Sequence, residues 1–361
     1  MKRVLQIGMH EKLGGVETFL MNYYRHIDRN QIQFDFINMY EENLCFSEEI
    51  EKLGGKIYEV KNVKKHPLQY LKQIKDIILE NKYDIVHINM LSAANIMPLL
   101  AADYANVKHI IVHSHNNNVP KGITRKILNY INKKIIIKKA TNFFACSEEA
   151  GKWMFGEKTK FTIITNAIDM NKFKFDYEKR IEIRKKYNIK DEFVIGHVGR
   201  FEEQKNHKFL IEIFENVKKN RKDAKLLLIG DGVLRKNIEQ KVKEKKIEKD
   251  VIFIGNSYNV NDFYQAMDIF VFPSLFEGLG IALIEAQSNG LKCLTSKETV
   301  PKEADISNNT KYISLNNKPQ EWCKEIMQTK IEREENYFNQ LEKKYDINIA
   351  AKKLEEIYTN L

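Results

Sequence analysis

The chain reads as an α/β protein of two successive units, each a parallel sheet covered by helices. Three observations predict this. Short apolar runs of strand type alternate with stretches whose apolar residues recur at helical spacing. The alternation closes near N-A-I-D-M-N-K-F (166–173) and begins again at Phe193. Glycines stand where several strands pass into helices, as in Gly14-Gly15 and Gly278-Leu279-Gly280. Alternating strands and helices make parallel sheets buried on both faces, which bind ligands at the carboxyl ends of their strands.

In the first unit, residues 3–9 form a strand, followed by Gly14-Gly15 and a helix whose apolar face is Val16, Phe19, Leu20, Tyr23, Tyr24 and Ile27. Further strands are predicted near 33–39, 56–60, 83–89, 108–114, 143–146 and 161–165, with helices near 67–80, 92–105, 121–139 and 148–154. His113 and His115 fall at a strand exit beside Asn116-Asn117-Asn118. In the second unit, the strand 193–199 leads to Arg200 and Lys205 and a helix over 206–219; strands follow at 224–229 and 251–254. Then D-I-F-V-F-P-S-L-F-E-G-L-G-I-A-L-I-E-A (268–286) supplies a strand, a turn with Ser274, the carboxylate Glu277, a glycine loop and a helix carrying Glu285. A strand near 291–295 and helices from about 319 complete the chain.

Composition narrows the class. A length of 361 residues allows two domains, and 43% hydrophobic with 30% charged residues is that of a soluble globular protein. No apolar run is long enough to span a bilayer, and Met1-Lys2-Arg3 runs straight into a strand, so no signal peptide is expected. Cys45, Cys146, Cys293 and Cys323 are widely spaced, as in buried thiols of a reducing cytoplasm. The net charge of +10 fits an anionic membrane face or a polyanionic substrate; no nucleic-acid motif is present, so no nucleic-acid partner is expected. The helix 121–139 interleaves Ile127, Leu128, Ile131 and Ile135 with Lys126, Lys133, Lys134 and Lys138. Two readings stand for it: a peripheral contact with an anionic membrane, or a core helix with a lysine-rich outer face.

The chemistry-bearing residues cluster in the second unit. A glycine loop opening into a helix offers unpaired backbone N–H groups and a positive dipole end to a phosphate. Arg200 and Lys205 add two cations suited to a diphosphate. Glu277 and Glu285, on either side of the glycine loop, suit hydroxyls. Phosphate with hydroxyls points to a sugar nucleotide. The opening Gly14-Gly15 turn is a second phosphate cradle, but it lacks the G-x-G-x-x-G spacing of a dinucleotide fold.

These residues carry a resemblance. G-G-V-E-T (14–18), H-S-H-N (113–116), A-C-S-E-E-A (145–150), N-A-I-D (166–169), V-G-R-F-E-E-Q-K-N (198–206), L-I-G-D-G (228–232) and F-P-S-L-F-E-G-L-G-I-A-L-I-E-A (272–286) occur in the order found in retaining glycosyltransferases of family 4. The variants resemble the capsular and exopolysaccharide enzymes of Gram-positive bacteria. The resemblance implies the GT-B fold, two Rossmann-like lobes whose parallel sheets face each other across a cleft. It divides the chain into an acceptor-side lobe (1–168), a donor-side lobe (169–340) and a C-terminal helix (341–361) packing back on the first lobe.

The implied roles follow residue by residue. Arg200 and Lys205, with Gly199 beneath them, bind the diphosphate and stabilise the departing nucleotide. Glu277 holds sugar hydroxyls and Glu285 the ribose, with Ser274 nearby in the same segment. Gly278, Leu279, Gly280 and Ile281 present backbone to the distal phosphate, approached by Gly14 and Gly15 from the first lobe. His115, followed by Asn116, meets the sugar at the reacting carbon, with His113 the alternative. The expected partners are a nucleotide-sugar donor, UDP-hexose or UDP-N-acetylhexosamine, and a glycan acceptor, commonly lipid-linked. No cofactor is expected, and with no Asp-x-Asp in the sequence no metal either. Ala167 departs from the glycine common at that position. Two other classes share the resemblance: a sugar-nucleotide epimerase and a non-catalytic partner subunit.

Overall fold

The computed structural model describes residues 1–116, 122–257, 259–333 and 336–361. The chain divides into two compact units, Met1–Ile168 with Lys344–Leu361, and Asp169–Lys343. The first unit runs β1 (Lys2–Ile7), α1 (Gly15–His26), β2 (Ile32–Asn38), α2 (Ser47–Lys52), β3 (Ile57–Glu59), α3 (Pro67–Asn81), β4 (Ile85–Met90), α4 (Met97–Tyr104), β5 (His109–Ser114), α5 (Ile123–Lys139), β6 (Asn142–Ala145), α6 (Glu148–Phe155) and β7 (Thr162–Ile163). The second runs α7 (Met170–Phe173), α8 (Tyr177–Lys186), β8 (Val194–Val198), α9 (His207–Asn220), β9 (Lys225–Ile229), α10 (Arg235–Glu244), β10 (Val251–Gly255), α11 (Val260–Ala266), β11 (Ile269–Phe272), α12 (Ile281–Ser288), β12 (Lys292–Ser296), β13 (Thr310–Ile313), α13 (Pro319–Gln328) and α14 (Tyr337–Gln340). The last helix, α15 (Ile347–Asn360), belongs to the first unit.

Both sheets are parallel, ordered β3-β2-β1-β4-β5-β6-β7 and β10-β9-β8-β11-β12-β13. In each, the chain winds one way from its first strand and then crosses over to the other side. The order therefore reverses between β1 and β4, and again between β8 and β11. The connections leaving neighbouring strands diverge at such a point and leave a crevice beyond the carboxyl ends.

Alternation along the strands supplies the two buried faces. Leu5, Val86 and Val112 face a core that includes Ile74 and Ile78 of α3, while Val4, Ile85 and Ile111 face the core of α1 and α15. In the second unit Ile195, Leu226, Leu228 and Val271 pack with Leu210, Phe214 and Trp322 of α9 and α13.

Six elements were not foreseen: α2, α7, α8, α10, α11 and β13. Each is short or charged, with few apolar residues to set a period; α8 buries only Ile183 and Arg184, and α10 only Ile238 and Val242. Helix α4 begins at Met97, not near 92, because Asn95 Oδ1 accepts from the Met97 amide at 3.0 Å and Pro98 takes an early helical position.

Candidate functional site

The second unit assembles its site on the loops leaving β8 and β11, at the reversal of strand order. Gly199 follows β8, and a Cβ there would fall 2.9 Å from Lys205 Cγ, so glycine lets the lysine stem lie along the strand end. The two loops are stitched together: the Leu275 amide donates to Gln204 O at 2.8 Å, Gln204 Nε2 donates to Phe276 O at 2.9 Å, and Asn206 Nδ2 donates to Pro273 O at 3.1 Å. This register puts Lys205 Nζ 2.6 Å from Glu277 Oε1 and 4.6 Å from the centre of the Phe272 ring. The pair is sheltered, with 16% of the lysine and 6% of the glutamate side chain exposed. Arg200 differs: its side chain is 62% exposed and lies 3.3 Å from Glu202.

Beyond Glu277 the glycine loop turns into α12. Gly280 occupies the helix N-cap at φ +84°, where a Cβ would meet the Phe272 ring at 3.3 Å. Glycine offers no side-chain cap, so the first N–H groups of α12 are left for solvent or a ligand, with the positive dipole end behind them. A Cβ on Gly278 would meet nothing within 4 Å. Ser274 is fully buried and its hydroxyl has no hydrogen-bond partner among the described residues. Glu285, one turn into α12, accepts from Tyr264 Oη at 2.7 Å. The residue keeps some accessible surface, yet the protein packed round its carboxyl pushes it up to about 7; the Tyr264 bond and the Lys205 charge oppose the rise.

In the first unit, Gly14 and Gly15 open α1. A Cβ on Gly15 meets nothing within 4 Å, whereas one on Gly14 would lie 2.7 Å from Glu17 Oε2. Glu17 is buried and accepts from the His10 amide at 3.0 Å, which ties the loop after β1 to the helix start. His113 and His115 stack with ring centres 4.0 Å apart, both against the Phe19 edge. His113 has no exposed surface, whereas His115 and Asn116 are half-buried. Burial pushes His115 down to about 3 and His113 well below its usual range, so both are neutral at pH 7. Asn117 and Asn118 lie outside the described residues.

The structure thus joins Lys205 to Glu277 and sets both beside the glycine loop, while Arg200 is largely exposed and pairs with Glu202. Sequence reasoning missed Tyr264, on an unforeseen helix, and Gln6, His87, Asn89 and Tyr358, which surround the two histidines. The signal for His87, Asn89 and Gln6 was a polar side chain at an inward position of a buried strand.

Comparison with known proteins places this architecture. The family model described as glycosyl transferases group 1 matches residues 179–347, and that of glycosyltransferase family 4 matches residues 13–172. The chain belongs to the GT-B glycosyltransferases. It is 33% identical over 310 residues to the putative glycosyltransferase EpsF of Bacillus subtilis (strain 168), covering 83% of this chain and 80% of that one. It is 29% identical over 235 residues to the UDP-Gal:alpha-D-GlcNAc-diphosphoundecaprenol alpha-1,3-galactosyltransferase of Escherichia coli, covering 61% and 59%. The crystal structure of Anabaena HepE in complex with UDP-glucose superposes with a TM-score of 0.81 at 17% identity over the whole of both chains.

Proposed function

We propose that this glycosyltransferase moves a hexose or N-acetylhexosamine from a UDP-sugar to a lipid-linked glycan in capsular or exopolysaccharide synthesis, with retention and without a metal. The observation that carries the reading is the sheltered Lys205–Glu277 pair beside exposed Arg200 and the Gly280 helix start. The cations and the α12 amides receive the diphosphate, Glu277 the sugar hydroxyls and Glu285 the ribose. His115, the more accessible of the stacked pair, meets the sugar. As the bond from the anomeric carbon to phosphate oxygen breaks, negative charge gathers on the diphosphate, and Arg200 and Lys205 stabilise it there. The acceptor hydroxyl attacks from the same face and its proton passes to the departing phosphate oxygen. The UDP-sugars in the names of the galactosyltransferase and of the HepE complex support this donor class, and the diphosphoundecaprenol in the former supports a lipid-linked acceptor.

Such an acceptor lies in a membrane, and α5 has a face suited to the inner leaflet. Its buried side is Asn129, Asn132 and Ile136, while Ile123, Ile127, Tyr130, Ile131 and Ile137 are exposed among Arg125, Lys126, Lys134 and Lys138, with no acidic residue. No described helix is long and apolar enough to cross a membrane. Binding to vesicles containing phosphatidylglycerol at low salt, lost on reversing Lys126, Lys134 and Lys138 to Glu, is expected; indifference to those vesicles refutes the contact.

The reaction is tested by donor hydrolysis across UDP-, GDP- and ADP-sugars, with and without chelator, for the natural chain and Glu277→Ala. Slow release of UDP from one sugar, unaffected by chelator and lost in the variant, is expected. Anomeric analysis of the transfer product tests retention. Isomerised sugar with no nucleotide released would mark an epimerase, and neither turnover nor nucleotide binding would mark a non-catalytic subunit.

A further inference from the structure

Through the stacked histidines runs a continuous chain of buried polar side chains, and the direction of every proton in it can be read from one end. Gln6, His87 and His113 occupy the same sheet face as Val4, Ile85 and Ile111, two residues back along their strands. Tyr358 reaches them from α15, with no exposed surface. The anchor is the backbone carbonyl of Ile7, which only accepts. It lies 3.4 Å from one terminal atom of Asn89, so that atom is the amide nitrogen. The same nitrogen donates to Gln6 Oε1 at 3.1 Å, which leaves Gln6 Nε2 to donate to Tyr358 Oη at 3.2 Å. The Tyr358 hydroxyl then directs its own proton to His87 Nδ1 at 2.6 Å. His87 accepts on Nδ1 and therefore carries its proton on Nε2, which donates to His113 Nδ1 at 3.2 Å. His113 in turn carries its proton on Nε2. On the other branch, Asn89 Oδ1 accepts from His115 Nε2 at 2.8 Å, so His115 is also the Nε2–H form. The chain ends in two buried ring nitrogens without hydrogen-bond partners among the described residues, His113 Nε2 and His115 Nδ1. The first bears a proton and the second a lone pair.

We infer that Tyr358, on the last helix of the chain, is a positioning residue that fixes the tautomers of His87 and His113 and thereby the ring on which His115 stacks. This rests on the reading that His115 meets the donor sugar. The reverse proton order would have His87 donate to Tyr358 and His113 donate to His87. It would leave the tyrosine hydroxyl, already accepting from Gln6, with a buried proton and no acceptor in the chain. The hydroxyl alone makes the two orders unequal. Without it, each order leaves His87 Nδ1 and His113 Nε2 unpaired, and the pair is free to exchange. His115 keeps its own tautomer through Asn89, so the effect on it comes through the dipole and proton of the ring stacked at 4.0 Å.

The test is long-range nitrogen–proton correlation NMR on the full-length chain with labelled histidine at pH 7, read beside steady-state kinetics. The natural chain should show His87, His113 and His115 all as Nε2–H. In Tyr358→Phe, His87 and His113 should become mixtures while His115 is unchanged. Donor turnover, kcat, should fall by roughly tenfold or more, by analogy with outer partners that orient metal-bound histidines, with the KM for the nucleotide-sugar held within about twofold of the natural value. A natural chain whose His113 is Nδ1–H overturns the inference without any variant. So does a Tyr358→Phe chain whose His113 stays Nε2–H, or one whose tautomers mix while kcat is unchanged. Full activity in His115→Ala instead overturns the underlying reading of the site, whatever the spectra show.

Discussion

Lys205→Met removes the charge and keeps most of the stem that lies against Gly199. Its consequence follows from how the pair is held. Glu277 has 6% of its side chain exposed and Lys205 has 16%, with the charged atoms 2.6 Å apart. Removing one partner of a buried pair leaves the other charge without compensation; because the lysine still touches solvent, we take the low end of that range, about 3 kcal/mol. For a unit of this size each kcal/mol moves the midpoint by roughly 2–4 °C, so the transition of the second unit should fall by about 6–12 °C. Arg200→Met is the control: its side chain is 62% exposed, so it should cost within about 0.5 kcal/mol and still lose donor turnover. Lys205→Met with Glu277→Gln removes both charges and should recover at least half of the lost midpoint while remaining inactive. Scanning calorimetry of the four proteins, with donor hydrolysis alongside, makes the measurement. A Lys205→Met midpoint equal to that of Arg200→Met, or a double variant no better than the single one, would refute the reasoning.

Glu285, pushed up to about 7 by burial, should make nucleotide binding pH-dependent. On the proposed reading the carboxylate accepts ribose hydroxyls, so UDP affinity should rise from pH 6 to 8, and Glu285→Gln should flatten the profile in titration calorimetry. Because its folded pKa lies above that of the unfolded chain, its contribution to stability is present below pH 4.5 and lost as pH rises through about 7; Glu285→Gln should therefore gain stability over the natural chain at pH 8. Gly15→Ala adds a Cβ into open space at the first turn of α1. Its midpoint should hold or rise by the few degrees that up to about 1 kcal/mol allows, while the KM for the donor increases; an unchanged KM would remove Gly15 from the site. Gly280→Ala forces a side chain into φ +84° against the Phe272 ring and should cost about 1–2 kcal/mol, whereas Gly278→Ala should be silent in the melt.

Much of this was legible in the sequence because backbone chemistry constrains residue type. A strand buried on both faces must be apolar, so β1, β4, β8, β9 and β11 announce themselves. A helix start that must leave its amides open takes Gly280, and a lysine stem against a strand end requires Gly199. What spacing could not supply was partnership. Lys205 and Glu277 are 72 positions apart, and nothing local indicates that their loops are laced together. Tyr264 and Glu285, or Tyr358 and His87, meet only because of strand order. The α5 periodicity was visible but not its direction. Asn129 and Asn132 turn inward because the buried polar backbone of Ala93 needs them: Asn129 accepts from the Ala93 amide and Asn132 donates to its carbonyl, both at 2.8 Å. Two hydrogen bonds to a loop thus reverse what an apolar stripe suggests.

The Lys205–Glu277 pair also bears on which ligand the second unit prefers. Before a donor arrives, the lysine is already engaged and the glutamate is satisfied. On the proposed reading, a ligand that offers phosphate alone draws Lys205 away and strands a nearly buried carboxylate, a penalty absent when sugar hydroxyls donate to Glu277 in the lysine's place. The nucleotide-sugar should therefore bind more tightly than the nucleotide, by more than the sugar's contact area explains. Glu277→Gln removes the stranded charge but keeps a hydrogen-bonding side chain. It should tighten UDP by about tenfold, equivalent to about 1.4 kcal/mol, while weakening the UDP-sugar, so that the preference between them collapses or reverses. Titration of both ligands into both proteins measures the four affinities. If the substitution weakens UDP and the UDP-sugar equally, Glu277 acts only as scaffold for Lys205, and the sugar is held elsewhere.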